Sequence, residues 1–137
     1  MGQRAIYVVI MDKIRLGTIT IDCGDEQALC DFYHGLLGWE KAVLYSHPAV
    51  CSENGVTFLF IEEEDYVPPV WPEKTGVQQK QIHFDFGVTK VAVAVGRALA
   101  LGATIAAEQF GDVDEFVTLT DPAGHPFCLC AESNSPN

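Results

Sequence analysis

His83 and Asp85, two residues apart in QIHFDFGV, are the side chains best suited to chemistry in this 137-residue chain. On an extended strand such neighbours share a face at roughly 6–7 Å, too wide for a direct short bond but close enough to hold one ligand or a bridging water. Imidazole titrates near neutrality, so His83 is suited to act as a general base, a hydrogen-bonding group or a metal ligand, and a histidine satisfied by a polar neighbour would read the same way. Cys128 and Cys130, in PFCLCA, also share a strand face. Two thiols so placed suit packing first, and a soft metal or a reactive thiol second. Thr18, Thr20 and Asp22 form a third polar series, at alternate positions of GTITIDC.

These residues need elements to position them. Period-two alternation predicts a strand over Gly17–Cys23, with Ile19, Ile21 and Cys23 on one face and the threonines and Asp22 on the other. Asp25 is a good N-cap, and Leu29, Phe32, Tyr33, Leu36 and Leu37 make the apolar stripe of a helix over Asp25–Leu37 that Gly38 stops. Strands are expected over 39–45, 49–52 and 56–63, the last two joined through Asn54-Gly55. The same order returns further on: a strand over Gln81–Gly87, a helix over Thr89–Leu101 capped by Thr89, and strands over 104–107, 116–120 and 126–131. Thr18 and His83 are 65 residues apart, Gly38 and Gly102 are 64 apart, and GVTFLFIEE resembles GHPFCLCAE. Two copies of a long period indicate one domain of paired modules rather than a solenoid. The expected fold class is α+β: two tandem βαβββ modules, residues 15–64 and 81–132, forming an open, cup-shaped mixed sheet with helices on its outer face. Residues 1–14 are expected to be a tail or extra edge strand, and 133–137 a tail.

The polar strand faces then line the cup. A wet outer face of a plain antiparallel sheet would alternate equally well, but helices covering the apolar side leave the polar face as the concave one. The connector, 65–80, holds VPPVWPEKTGVQQK with three of the seven prolines. Its Trp71 suits a pocket wall, a lid or a dimer contact, while Trp39 suits the core. His125, next to Pro126 in a turn, reads as structural or exposed, His34 and His47 have no evident partners, and Glu62–Asp65 reads as a solvated strand end.

Charge excludes one class of partner. With 8 Lys+Arg against 19 Asp+Glu the formal net charge is −11, which repels nucleic acid and anionic membrane and favours cationic ligands. The longest apolar run, Ala5–Met11, is too short for the ~20 residues that span a bilayer. The start lacks a small-residue cleavage site, and Met11 reads as a plausible natural start, so the first ten residues carry little functional weight. Five cysteines without a CxxC spacing read as reduced thiols in a cytoplasmic protein. Phosphate loops, HExxH helices and GxSxG elbows have no match.

Two βαβββ modules, a first helix ending DFYHGLLGW, a second ending ALALGA, and the closing DPAGHPFCL together resemble the vicinal oxygen chelate superfamily of glyoxalase I, bleomycin-resistance proteins and extradiol dioxygenases. The connector and following strand are similar to its glyoxalase-like domain group. The resemblance spans Arg15 to Ala131 and implies a cup frequently completed across a homodimer. It also implies metal-ligand positions at the start of each module's first strand and on its last strand, here Thr18, His83, Leu59 and Cys128. Only His83 is a usual ligand among these, so no tightly bound cofactor is expected, and any weak divalent metal would use His83 with Cys128.

The leading expectation is a homodimeric protein binding a small organic ligand, cationic or aromatic, and working by sequestration or by metal-free acid–base chemistry at His83 and Asp85. Thr18, Thr20, Asp22, Leu59, Trp71, Cys128 and Cys130 are the expected ligand-contacting residues. The alternatives are a metal-dependent lyase, isomerase or dioxygenase, in which His83 with Cys128 or Asp22 recruits the ion, and an interaction module whose cup is filled by its own side chains.

Overall fold

The computed structural model describes residues 13–134. Module one runs β1 (Thr18–Cys23), α1 (Glu26–Leu37), β2 (Glu40–Leu44), β3 (His47–Cys51) and β4 (Thr57–Glu62); module two runs β5 (Phe84–Val88), α2 (Val91–Ala100), β6 (Thr104–Ile105), β7 (Phe116–Thr120) and β8 (Pro126–Ala131). Each module makes a four-stranded sheet, ordered β1-β4-β3-β2 and β5-β8-β7-β6, and neither closes. The first and last strands of each module pair in parallel, the rest antiparallel. The fold is therefore α+β, with two tandem βαβββ modules. The proposed tail or edge strand at 1–14 lies almost wholly outside the described residues, and Lys13 to Gly17 carry no regular element.

Local chemistry explains the first helix. Asp25 accepts the Ala28 N–H at 3.0 Å, and Gly38, at φ 71°, turns the chain and donates to the His34 carbonyl at 2.9 Å. Leu29, Cys30, Phe32 and Tyr33 make its buried stripe. The second helix differs from expectation. Because β5 extends to Val88, Thr89 falls in the turn, and Lys90 takes the cap position without a side-chain bond. The start of β5 differs as well: Gln81 adopts φ 61°, and the Ile82 N–H turns back to the Lys80 carbonyl at 2.7 Å, so regular pairing waits until Phe84.

One core serves both modules. The Phe58 ring on β4 stacks on Phe84 of β5 at 4.8 Å, while Tyr33 of α1 lies parallel to Phe60 at 5.8 Å and edge-on to Phe84 and Phe127 at 6.5 Å. Phe32, Tyr33, Phe60 and Phe127 are essentially inaccessible, and each such burial stabilises by about 1.5–3 kcal/mol. Both helices pack on the apolar faces of the sheets, α1 against β3 and β4 and α2 against β7 and β8. The alternate residues of β1 and β5 are thereby left on the opposite face.

Candidate functional site

Strand register lines up the two modules. The apolar pairs Ile19↔Phe58 and Phe84↔Phe127 correspond, as do the polar-face pairs Thr20↔Leu59 and Asp85↔Cys128. Thr18 and His83 each precede the apolar pair by one residue, and His83 sits just before β5 instead of within it.

On module two, polar side chains converge. His83 Nε2 lies 3.3 Å from Asp85 Oδ1, far closer than the strand spacing suggested, because both side chains lean toward each other above the backbone. Cys128, opposite Asp85, is 8% exposed and brings its sulfur into the same group. One donor atom each from His83, Asp85 and Cys128 lies within 4.8 Å of the others. Thr118 of β7 adds its hydroxyl 3.3 Å from Cys128 Sγ. Burial is the first cause that pushes the Cys128 thiol up, the Asp85 charge raising it further against the Thr118 hydrogen bond. Cys130 is raised likewise, by burial and then by Asp85 and Cys128. Both shifts favour the protonated thiol, a proton that a bound cation would have to displace. All five cysteines are free.

The equivalent face of module one is less polar. Leu59 is buried at 4% exposure beside a fully buried Ala49, and the oxygen atoms nearby are those of Thr18, Thr20, Asp22 and Thr57. Both modules nevertheless border one cavity. A space of about 160 Å³ is walled by Thr20 and Asp22 from one side and by Lys80, His83, His125 and Pro126 from the other. A larger one, about 670 Å³, shares Asp22, Lys80 and His125 with it and is rimmed by Glu63, Glu64 and Asp65. The acidic strand end, expected to be merely solvated, thus faces a cavity.

Several residues gain partners that the sequence did not reveal. His125 Nε2 sits 2.7 Å from the Asp22 carbonyl and 3.2 Å from the Tyr66 hydroxyl, tying the last turn of module two to the first strand of module one. His47 Nδ1 meets Glu26 Oε1 at 2.9 Å, and His34 Nδ1 meets the Trp39 carbonyl at 2.7 Å. Trp71 lies outside both cavity walls. Its ring packs edge-on to Phe110 at 5.5 Å, and the Lys80 ammonium, ion-paired with Glu73, caps it at 4.5 Å. Trp71 meets the cup through Lys80. Thr118 and Lys80 were the residues sequence reasoning passed over. The alternation of FVTLT, which puts Thr118 opposite Cys128, was the one available signal.

The family model for the glyoxalase-like domain matches residues 18–130. The chain belongs to that family. Its fold is similar to that of a glyoxalase/dioxygenase from Nostoc punctiforme (TM-score 0.63, 20% identity, 85% of this chain and 90% of that one). It is similar also to a glyoxalase/bleomycin resistance protein/dioxygenase family enzyme from Burkholderia phytofirmans PsJN (TM-score 0.61, 18% identity, 84% and 96%). A third similar structure is an antibiotic binding protein from Streptomyces sp. CB03234 (TM-score 0.58, 12% identity, 89% and 98%). At these identities the likeness concerns the fold. None of the curated proteins matches the chain in sequence. The vicinal oxygen chelate resemblance therefore holds at the level of superfamily.

As a glyoxalase-like protein the chain can be tested for the superfamily's metal. The four register positions supply two donors, His83 and Cys128, because Leu59 has none and Thr18 offers a neutral hydroxyl. Asp85 brings a third. Tetrahedral zinc with bonds of about 2.0–2.3 Å holds its ligand atoms about 3.3–3.8 Å apart. His83 and Asp85 already meet that spacing, and all three donor atoms lie within 4.8 Å of one another. The residues present fit an ion with three protein ligands and do not fit the four-ligand arrangement. Among the described residues, no helix is long and apolar enough to cross a membrane.

Proposed function

We propose that this glyoxalase-like protein binds a small organic molecule in the cup between β1 and the start of β5, by sequestration or with His83 as the acid–base group. The supporting observation is the cavity that Thr20 and Asp22 share with His83, with Asp85 standing 3.3 Å from the imidazole. His83 is the group placed to exchange a proton with a ligand there, and Asp85 stands where it can orient the imidazole. No tightly held ion is needed for this.

Ligand class follows from the field. Asp22 shares the cavity wall with His83, Asp85 stands 3.3 Å from the imidazole, Glu63 to Asp65 rim the adjoining cavity, and the nearby Lys80 is engaged by Glu73 and Trp71. A cationic or amine-bearing aromatic molecule gains attraction there, whereas an anion is repelled. The likeness to an antibiotic binding protein supports a small-molecule ligand. We place the protein in a reducing, cytoplasmic setting on its five free thiols, and as a homodimer through the edge strand β2, where Val43 and, just beyond, Tyr45 are exposed at 74% and 83%. A thermal-shift screen of aromatic amines and antibiotics tests the ligand class. Hits should be cationic, and Asp22→Asn should weaken them; a set of hits that is uniformly anionic would overturn the reading.

A further inference from the structure

We infer that His83, Asp85 and Cys128 form an exchangeable site for a soft divalent cation of the zinc or cobalt type, held by module two alone. The inference shares the cup with the preceding reading. It differs from the superfamily's arrangement, in which both modules supply ligands, since Leu59 and Thr18 contribute no usable donor and Asp85, outside the four register positions, supplies the third.

The argument is geometric. Two paired strands and the residue leading into one of them converge: the residue before β5 provides an imidazole nitrogen, β5 a carboxylate oxygen, and β8 a sulfur directly across the parallel register from that carboxylate. An imidazole, a carboxylate and a thiol within 4.8 Å of one another make a donor set that suits zinc or cobalt and disfavours magnesium or calcium, which take oxygen ligands. Among the described residues that line the cup, the one lysine is engaged elsewhere. Lys80, the basic residue at the cup, is ion-paired with Glu73 and stacked on Trp71, with its ammonium directed to them. Three protein ligands leave a coordination position for a molecule in the cup, as open sites do. Asp85 is 61% exposed and must be ordered when the ion binds, which makes the site exchangeable rather than tight.

The full chain, stripped with chelator, is titrated with Co²⁺ while the thiolate-to-cobalt charge-transfer absorption is followed, with Zn²⁺ competition as a second readout. The expected result is one equivalent per chain, a thiolate band, and displacement by Zn²⁺. Asp85→Asn and Cys128→Ser should each weaken Co²⁺ binding at least about tenfold. Cys130→Ser, on the same face but outside the group, should leave it within about twofold of wild type, and so should Glu108→Gln, which lines neither cavity. Absence of a thiolate band, or binding that Asp85→Asn leaves unchanged, would overturn the inference. Asp85 is exposed, so its substitution does not threaten the fold. Binding of a cationic aromatic probe to the stripped protein is measured in parallel: if that persists while cobalt fails, the metal site alone falls, and if cobalt binds while the probe does not, the organic-ligand reading falls.

Discussion

The Tyr33 hydroxyl donates a 2.6 Å hydrogen bond to Asp121 Oδ2, joining the first helix of module one to the last turn of module two inside the shared core. Burial is the chief cause that raises the phenol, and the Asp121 charge raises it further. The other oxygen of that carboxylate accepts the Ala123 and His125 N–H groups at 2.9 and 3.0 Å, which fixes the turn that brings His125 to Asp22. Through this bond the two halves of the cup are held in register. A buried carboxylate at 4% exposure tolerates this only because its oxygens are satisfied.

Tyr33→Phe keeps the ring packing and leaves one Asp121 oxygen short of its donor. The expected loss of stability is about 1–3 kcal/mol, read from the urea midpoint at constant m-value. A loss below the error of that measurement would mean that water or another donor replaces the phenol.

Glu26 carries a pH dependence. The Glu62 N–H is the largest cause holding its carboxyl below the ordinary value, and the His47 contact is the next. A depressed acid binds fewer protons in the folded chain, so its contribution is present above the ordinary glutamate value and is lost as pH falls through the lowered folded value. Glu26→Gln should therefore be less stable than wild type near neutrality, and the two should converge on acidification. Denaturant midpoints measured across that range check it, and a difference that stays constant with pH contradicts it.

Much of the fold was legible because both modules use unambiguous periods. The stripe from Leu29 to Leu37 with Asp25 and Gly38 at its ends, and the alternation of TITIDC and PFCLCA, locate elements to within a few residues. The start of β5 was not legible, because the left-handed turn at Gln81 has no glycine to announce it. Nor was the convergence at the site. Strand spacing separates the backbones of His83 and Asp85, but side-chain direction sets the 3.3 Å between them, and Thr118 arrives through tertiary folding from distant sequence.

Gln109 offers a test of how the site's wall is built. Its carboxamide accepts the Thr118 N–H and donates to the Thr118 carbonyl, both at 2.9 Å, completing the ladder beyond the two-residue strand β6. Gln109→Ala leaves the N–H of a 3% exposed residue unpaired and should cost about 1–3 kcal/mol. Hydrogen exchange at the Thr118 amide should accelerate with it, and an unchanged exchange rate would show that the carboxamide is dispensable.

The central claim is that His83 contacts the bound molecule in the cup. The most direct measurement follows the His83 imidazole resonances by NMR during titration with a cationic aromatic hit, paired with calorimetry of His83→Ala and of Glu108→Gln, which lines neither cavity. The account predicts that the His83 signals shift on binding, that His83→Ala loses about 1–3 kcal/mol of affinity, and that Glu108→Gln binds as wild type does. Unmoved His83 signals at saturation, with full affinity retained in a folded His83→Ala protein, would contradict it.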